Sequence, residues 1–260
     1  MKWDPERYTQ FADHRDRPFF DLAARIGAGE PDTEPAWAAD LGCGTGALTA
    51  VLAERWPGSP VTGIDSSADM IRNAKARSKN NLSFAQGQIQ DWEPGPGAGV
   101  LLSNAALQWV PGHQELLTRW AKAMDPGSWI AVQVPGNFGA PSHALMRELA
   151  ASPRFAPALA GVLRGTDSVA EPGEYLELFL DAGFDADVWE TTYVQVLTGP
   201  DPVLDWVRGT ALRPVIAALD PQDYQAFEAE YGALLRQAYP AKPWGTVLPF
   251  RRIFMVGRKS

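Results

Sequence analysis

Short apolar runs alternate along this chain with longer segments whose apolar positions recur at helical spacing. The pattern predicts strands at 36–41, 61–64, 82–85, 100–103 and 129–134. Helices are predicted between them at 46–56, 68–79 and 114–124, the second opened by Ser66 or Ser67 as N-cap. Two amphipathic helices, 3–10 and 17–26, precede the first strand. Beyond 134 the rhythm loosens. Helices are predicted at 142–151, 172–182, 201–219 and 221–239, with a Pro- and Gly-broken stretch at 153–167. Strands are predicted at 184–197 and 250–256. Strand–helix alternation predicts an α/β fold, a parallel sheet with helices on both faces. The expected organisation is a single domain, 1–260. It has a helical cap at 1–30, a core at 36–134, insertions at 135–171 and 199–245 that fold back as a lid, and a closing strand in 246–260.

The first strand runs into Asp40-Leu41-Gly42-Cys43-Gly44-Thr45-Gly46, and a helix follows at once. Glycines permit positive φ and let a ligand approach bare backbone, and a helix start offers N–H donors. Gly42, Gly44 and Ala47 also fit the spacing of a dinucleotide loop. Asp40 distinguishes the two ligands. A carboxylate there repels a pyrophosphate and favours a ligand with an ammonium group. S-adenosylmethionine has an amino-acid end, a cationic sulfonium and no phosphate.

Composition narrows the partners. The chain has 260 residues, 45% hydrophobic and 21% charged, with a formal net charge of −8. That balance gives no general attraction to nucleic acid, and no apolar run approaches the roughly 20 residues of a membrane helix. The amino terminus has no apolar targeting core, and Cys43 is the single cysteine, so a reducing cytoplasm is expected. A monomer is compatible with the sequence, which leaves the oligomeric state open. A small-molecule partner is expected.

Three further blocks suit a cofactor site. Asp65, with Ser66 behind it, ends the second strand, where an acid can accept ribose hydroxyls. Asp91-Trp92 follows the third strand, where a carboxylate can accept an adenine amine. Ser103-Asn104-Ala105 ends the fourth, with Leu107-Gln108-Trp109 beyond it. The blocks Asp40–Gly46, Ile64–Ser67, Gln90–Trp92 and Ser103–Ala105 resemble the seven-stranded, S-adenosylmethionine-dependent methyltransferase family. The resemblance implies a Rossmann-like, seven-stranded, mostly parallel sheet whose last strand is antiparallel, 184–197 and 250–256 forming the final hairpin. It also implies Asp40, Gly42, Gly44, Gly46, Asp65, Ser66, Asp91, Trp92 and Asn104 as cofactor contacts.

The ends of the chain narrow the likeness. Trp3–Tyr8 with Phe11 and Arg15–Pro18, Leu107–Pro111, Asn137–His143 and Pro249–Phe254 are similar to one branch of that family, whose members esterify a small unsaturated tricarboxylate. Trans-aconitate is the acceptor first implied. A carboxylate nucleophile is ionised at neutral pH and needs orientation rather than a general base. A tricarboxylate calls for arginine forks. Arg15, Arg17, Arg147, Arg251 and Arg252 are the candidates. His143 and Arg147 share a helix face at i and i+4. Tyr8, Phe11 and Trp109 can close over the ligands. Other acceptors, a hydroxyl or a carbon of another small metabolite, remain open, as does a module that binds the cofactor without turnover. No metal-ligand spacing is evident. A nicotinamide oxidoreductase fits the glycine spacing but not Asp40.

Overall fold

Burial sorts the strands before their pairing is considered. β1 (Ala38–Leu41), β4 (Val100–Asn104) and β5 (Trp129–Pro135) are buried along nearly their whole length, as central parallel strands are. In β2 (Val61–Asp65) buried positions give way to half-buried ones, in β3 (Leu82–Gln86) to exposed ones, and β6 (Phe184–Leu197) alternates, as an edge strand does. β7 (Thr246–Lys259) is almost wholly buried beyond Arg252. The computed structural model describes residues 12–28 and 34–260. It joins these strands in the order β3-β2-β1-β4-β5-β7-β6. β1 to β5 pair in parallel. β7 runs antiparallel to β5, from Trp129 opposite Arg258 to Pro135 opposite Arg252. The expected antiparallel last strand is therefore present.

Ten helices among the described residues connect the strands. They are α1 (Ala12–Ala23), α2 (Ala47–Arg55), α3 (Ala68–Lys75), α4 (His113–Ala123), α5 (Pro141–Ala150), α6 (Ala156–Leu159), α7 (Pro172–Asp181), α8 (Pro202–Arg208), α9 (Arg213–Ala218) and α10 (Pro221–Ala238). Local chemistry explains their ends. Ser67 accepts the Met70 N–H at 3.4 Å to start α3. Glu171 and Glu174 form a capping box on α7, with Pro172 in its first turn. Asp220 accepts from the N–H groups of Gln222 and Asp223 to start α10.

Two helices differ from the sequence expectation. α1 begins before 17, so Pro18 lies inside it and one intrahelical hydrogen bond is lost. The expected helix at 201–219 divides into α8 and α9. Pro214 has no N–H to continue a helix and is instead accommodated in the first turn of a new one. The predicted helix at 3–10 lies outside the described residues.

The chain forms two compact units. The first holds residues up to 135 with 170–191 and 252–260; the second holds 136–169 and 192–251. The expected insertions fall almost wholly in the second. In the first unit α2 and α3 pack on β2, α3 on β3, α1 on β5, and α7 on α4. Its core includes Leu41, Leu52, Phe179 and Phe254, with Trp189 stacked on Phe254 at 4.8 Å. In the second unit α5 packs on α10, and Phe155 meets Phe227 edge-on at 5.1 Å.

Trp120 on α4 is fully buried, sits edge-on to Trp92, and donates its indole N–H to the Trp92 carbonyl at 3.0 Å. Trp120→Ala removes a large ring and orphans that carbonyl. It should destabilise the protein by about 3–5 kcal/mol, read as a lower urea midpoint, with Trp120→Phe losing clearly less.

Candidate functional site

The strand order reverses between β1 and β4. Each of β2 and β3 is added on one side of β1, and β4 starts on the other. Ligands of open α/β sheets bind at the carboxyl ends of strands at such a switch point. A cavity of about 170 Å³ opens there in the first unit, many times the roughly 10–15 Å³ that one water needs, and so room for an organic group. Its walls come from Gly42 and Gly44 after β1, Asp65 and Ser66 after β2, Gln88–Gln90 after β3, and Asn104–Ala106 after β4. Trp109 and Val110 complete it.

Two loops meet closely at this point. Gly42 has φ +85°, and a Cβ built on it would lie 2.3 Å from the Ala106 Cβ. Only glycine fits. Ala105 itself has φ +55°, a left-handed conformation that costs an alanine about 1 kcal/mol and is held by its N–H bond to the Gln133 carbonyl at 2.9 Å. Gly44 lines the cavity, and a Cβ there would meet nothing within 4 Å.

Asp65 ties the loops together. One carboxylate oxygen accepts the Gly44 N–H at 3.0 Å and the other accepts the Ser67 N–H at 2.8 Å. A carboxylate has about four acceptor sites, so two remain for a ligand's hydroxyls. Burial pushes its carboxyl above the ordinary value against the pull of those two N–H groups. Asp40 lies deeper, 3% exposed, and accepts the Thr49 hydroxyl at 2.6 Å. Burial pushes its carboxyl up to about 6; Thr49 opposes that rise and Asp65 adds to it.

The second unit holds a different chemistry. Phe138, His143, Met146, Arg147, Leu163, Arg164, Ala211 and Pro214 line a pocket of about 20 Å³, enough for one small polar group. Tyr231 and Tyr239 hold the start of α5. The Tyr231 hydroxyl donates to the Ser142 carbonyl, and the Tyr239 hydroxyl accepts the Ser142 N–H at 3.0 Å. That sets the face carrying His143 and Arg147. Arg147 Nη1 is buried without a hydrogen-bond partner. The Arg164 guanidinium lies 5.0 Å over the Phe138 ring, and burial lowers its pKa to about 10. His143 is pushed down to about 4, first by burial and then by Arg164 and Arg147. It is neutral at pH 7. Among the described residues no acid lines this pocket.

A family model for a methyltransferase domain matches residues 38–127. Trans-aconitate 2-methyltransferase of Streptomyces avermitilis is 50% identical over 99% of this chain and 97% of that protein. The enzyme of the same name from Streptomyces coelicolor is 52% identical, over 99% of this chain and 86% of that one. This chain belongs to the trans-aconitate 2-methyltransferase family. Among solved structures, phosphoethanolamine N-methyltransferase 2 of Haemonchus contortus, in complex with S-adenosyl-L-methionine, overlays with a TM-score of 0.54 at 15% identity. The overlay covers 94% of this chain and 53% of that one, so this chain spans about half its length; the likeness is one of fold.

Of the residues singled out in the sequence, Gly42, Gly44, Asp65, Ser66, Asn104 and Trp109 line the first cavity. Four others do not. Asp40 is sealed beneath the loop, where the Thr49 hydroxyl takes it up. Gly46 serves packing, since a Cβ there would lie 2.5 Å from the Phe84 ring. Trp92 is wedged between Trp37 and Trp120, at 5.7 Å from each, and Asp91 is exposed. Their neighbours Gln88, Ile89 and Gln90 line the cavity instead, because a 3₁₀ turn at Ile89–Asp91 points the block differently. His143 and Arg147 share the second pocket as their spacing suggested.

Arg17 lies on the surface of α1 beside Asp21, and Arg251 donates to the Gly136 carbonyl at 3.2 Å. Neither lines a described pocket. Arg252, expected at the substrate, is buried in the first unit against Gln133. Tyr8, Phe11 and the side chain of Arg15 lie outside the described residues. Arg164 was missed in the sequence because the stretch around it has no periodicity to mark which side chains turn inward.

Asp40 yields a pH test. Its carboxyl titrates near 6 in the fold and near 3.8 when unfolded, so the fold favours the protonated form. The stability so gained is complete below pH 4 and is lost as pH rises through 6. Asp40→Asn stays neutral. It should therefore exceed the parent in stability above pH 6, by up to roughly 3 kcal/mol for a shift of about two pH units. Calorimetric Tm values should converge near pH 4 and separate by pH 8.

Proposed function

We propose that this chain transfers a methyl group from S-adenosyl-L-methionine to a carboxylate of a small polycarboxylic acid, trans-aconitate first among them. The observation that carries the acceptor class is the second unit's pocket. Two guanidiniums and a neutral histidine stand together there with no acid among the lining residues, and Arg147 Nη1 is buried without a partner. A buried guanidinium nitrogen without a hydrogen-bond partner is costly, and an oxygen of an anionic ligand supplies that partner. A pocket of this size takes one oxygen-sized polar group of such an acid. The names of the relatives support trans-aconitate as the acid.

The cofactor reading rests on the first cavity. Asp65 retains acceptor capacity beside Gly44, and Asn104 brings an incompletely bonded amide to the cavity wall. These residues fit a ligand with ribose hydroxyls and an amino-acid end. When bound, S-adenosyl-L-methionine supplies a methyl group on a cationic sulfur, an electrophile for an ionised carboxylate. Asp65 would then accept ribose hydroxyls, Gly42 and Gly44 would leave room for close approach, and Gln88–Gln90 with Met70 would form a wall for the adenine. Asp40 contributes charge from beneath the loop rather than contact. No base is required of the protein, and His143, with a pKa near 4, is a poor one. It serves as a neutral hydrogen-bonding partner. The expected setting is the cytoplasm; among the described residues no helix is long and apolar enough to cross a membrane.

Incubation with methyl-labelled cofactor and trans-aconitate should give a base-labile ester. A base-stable product would identify a different acceptor group, and no transfer to any carboxylic acid would remove the reading. Arg147→Ala should raise the acceptor KM about 10- to 100-fold, the equivalent of roughly 1.5–3 kcal/mol for a charged hydrogen bond, with kcat little changed. Asp65→Ala should instead raise the cofactor Kd.

A further inference from the structure

Three polar side chains lie along one face of the sheet, toward the carboxyl ends of β4 and β5 and in the middle of β7. Asn104 pairs with Gln133 across parallel strands. Gln133 pairs with Phe254, and Arg252 stands two residues from Phe254, on the same face. Gln133 is fully buried and Arg252 is 4% exposed. Arg252 Nη1 donates to Gln133 Oε1 at 3.1 Å. A guanidinium can only donate, so the amide end facing it must be the oxygen. The Gln133 NH2 group is thereby turned away from Arg252. Gln133 Nε2 is buried and has no partner, and so is Asn104 Oδ1 on the neighbouring strand. One is a donor and the other an acceptor. Asn104 also lines the cavity after β4, where Ala105 holds its positive φ by bonding the Gln133 carbonyl.

We propose that Gln133, oriented by Arg252, is a positioning residue that decides which end of the Asn104 amide faces the bound ligand. On binding, Gln133 Nε2–H donates to Asn104 Oδ1, and Asn104 offers its NH2 group to the cavity. Donors then run in one direction, from Arg252 through Gln133 to Asn104 and on to the ligand. The ligand atom met there is an acceptor, a carboxylate oxygen; an ammonium is refused. This rests on the reaction proposed above, which brings two such groups to the site: the carboxylate of the cofactor's amino-acid end and the acceptor's reacting carboxylate.

Two variants of nearly equal length separate direction from packing. Gln133→Glu keeps an acceptor for Arg252 but turns a second acceptor toward Asn104. The Asn104 NH2 group must then point inward and its carbonyl outward. Gln133→Met removes the direction without reversing it. Affinity for the carboxylate should fall about 3- to 10-fold in Gln133→Met and more than 10-fold in Gln133→Glu. Thermal stability should not follow that order, because the Glu variant keeps the Arg252 contact and the Met variant loses it. Two readouts locate the carboxylate. Calorimetric Kd of S-adenosylhomocysteine reports on the cofactor end, and KM for trans-aconitate at saturating cofactor reports on the acceptor. The expected ranking in either one supports the proposal. Equal values across the three proteins, or losses that simply track Tm, overturn it. Should the parent protein methylate no carboxylic acid, the proposed reaction fails, while the S-adenosylhomocysteine series still decides the role of Gln133.

Discussion

The cavity depends on a steric constraint: the loop after β1 and the loop after β4 approach until no side chain fits between Gly42 and Ala106. That approach follows from topology. β1 and β4 are neighbours in the sheet, but their following segments leave in opposite directions. The cavity is the gap they leave. Its rigidity comes from bonds across the loops, chiefly Asp65 to the N–H groups of Gly44 and Ser67, and from the strained Ala105 held by Gln133. A backbone pinned in this way presents little that a ligand must reorganise on binding.

Charge is divided between the two units in a way that the net charge of −8 conceals. The first unit places Asp65 at its cavity and Asp40 beneath the loop, both with carboxyls raised by burial. The second gathers Arg147 and Arg164 around His143. Each cluster is destabilising alone, since buried like charges repel and lose hydration. A cationic cofactor and an anionic acceptor would relieve them separately. The arrangement therefore favours ligands of opposite sign, which is the charge pattern that methylation of a carboxylate by a sulfonium brings together.

Residues reveal what was readable and what was not. Asp65 was readable because a strand end and its interval from a glycine loop fix where an acid must emerge. His143 and Arg147 were readable because helical spacing puts i and i+4 on one face. Asp91 and Trp92 adjoin the cavity without lining it, because a 3₁₀ turn brings Gln88–Gln90 to its wall and Trp92 to the core. Arg252 looked like a substrate arginine from its neighbourhood, but its place in β7 buries it against Gln133. Arg164 had no local signal at all.

By itself the sequence determined the strand and helix succession, the glycine turn, and the acid at the end of β2, because these depend on backbone conformation and local periodicity. Tertiary structure alone decided that Asp40 turns inward to Thr49, that Arg164 joins His143 and Arg147, and that Gln133 stands between Arg252 and Asn104. Those outcomes depend on which side chains distant in the chain compete for the same buried volume and the same hydrogen-bonding atoms, and no local pattern encodes that competition.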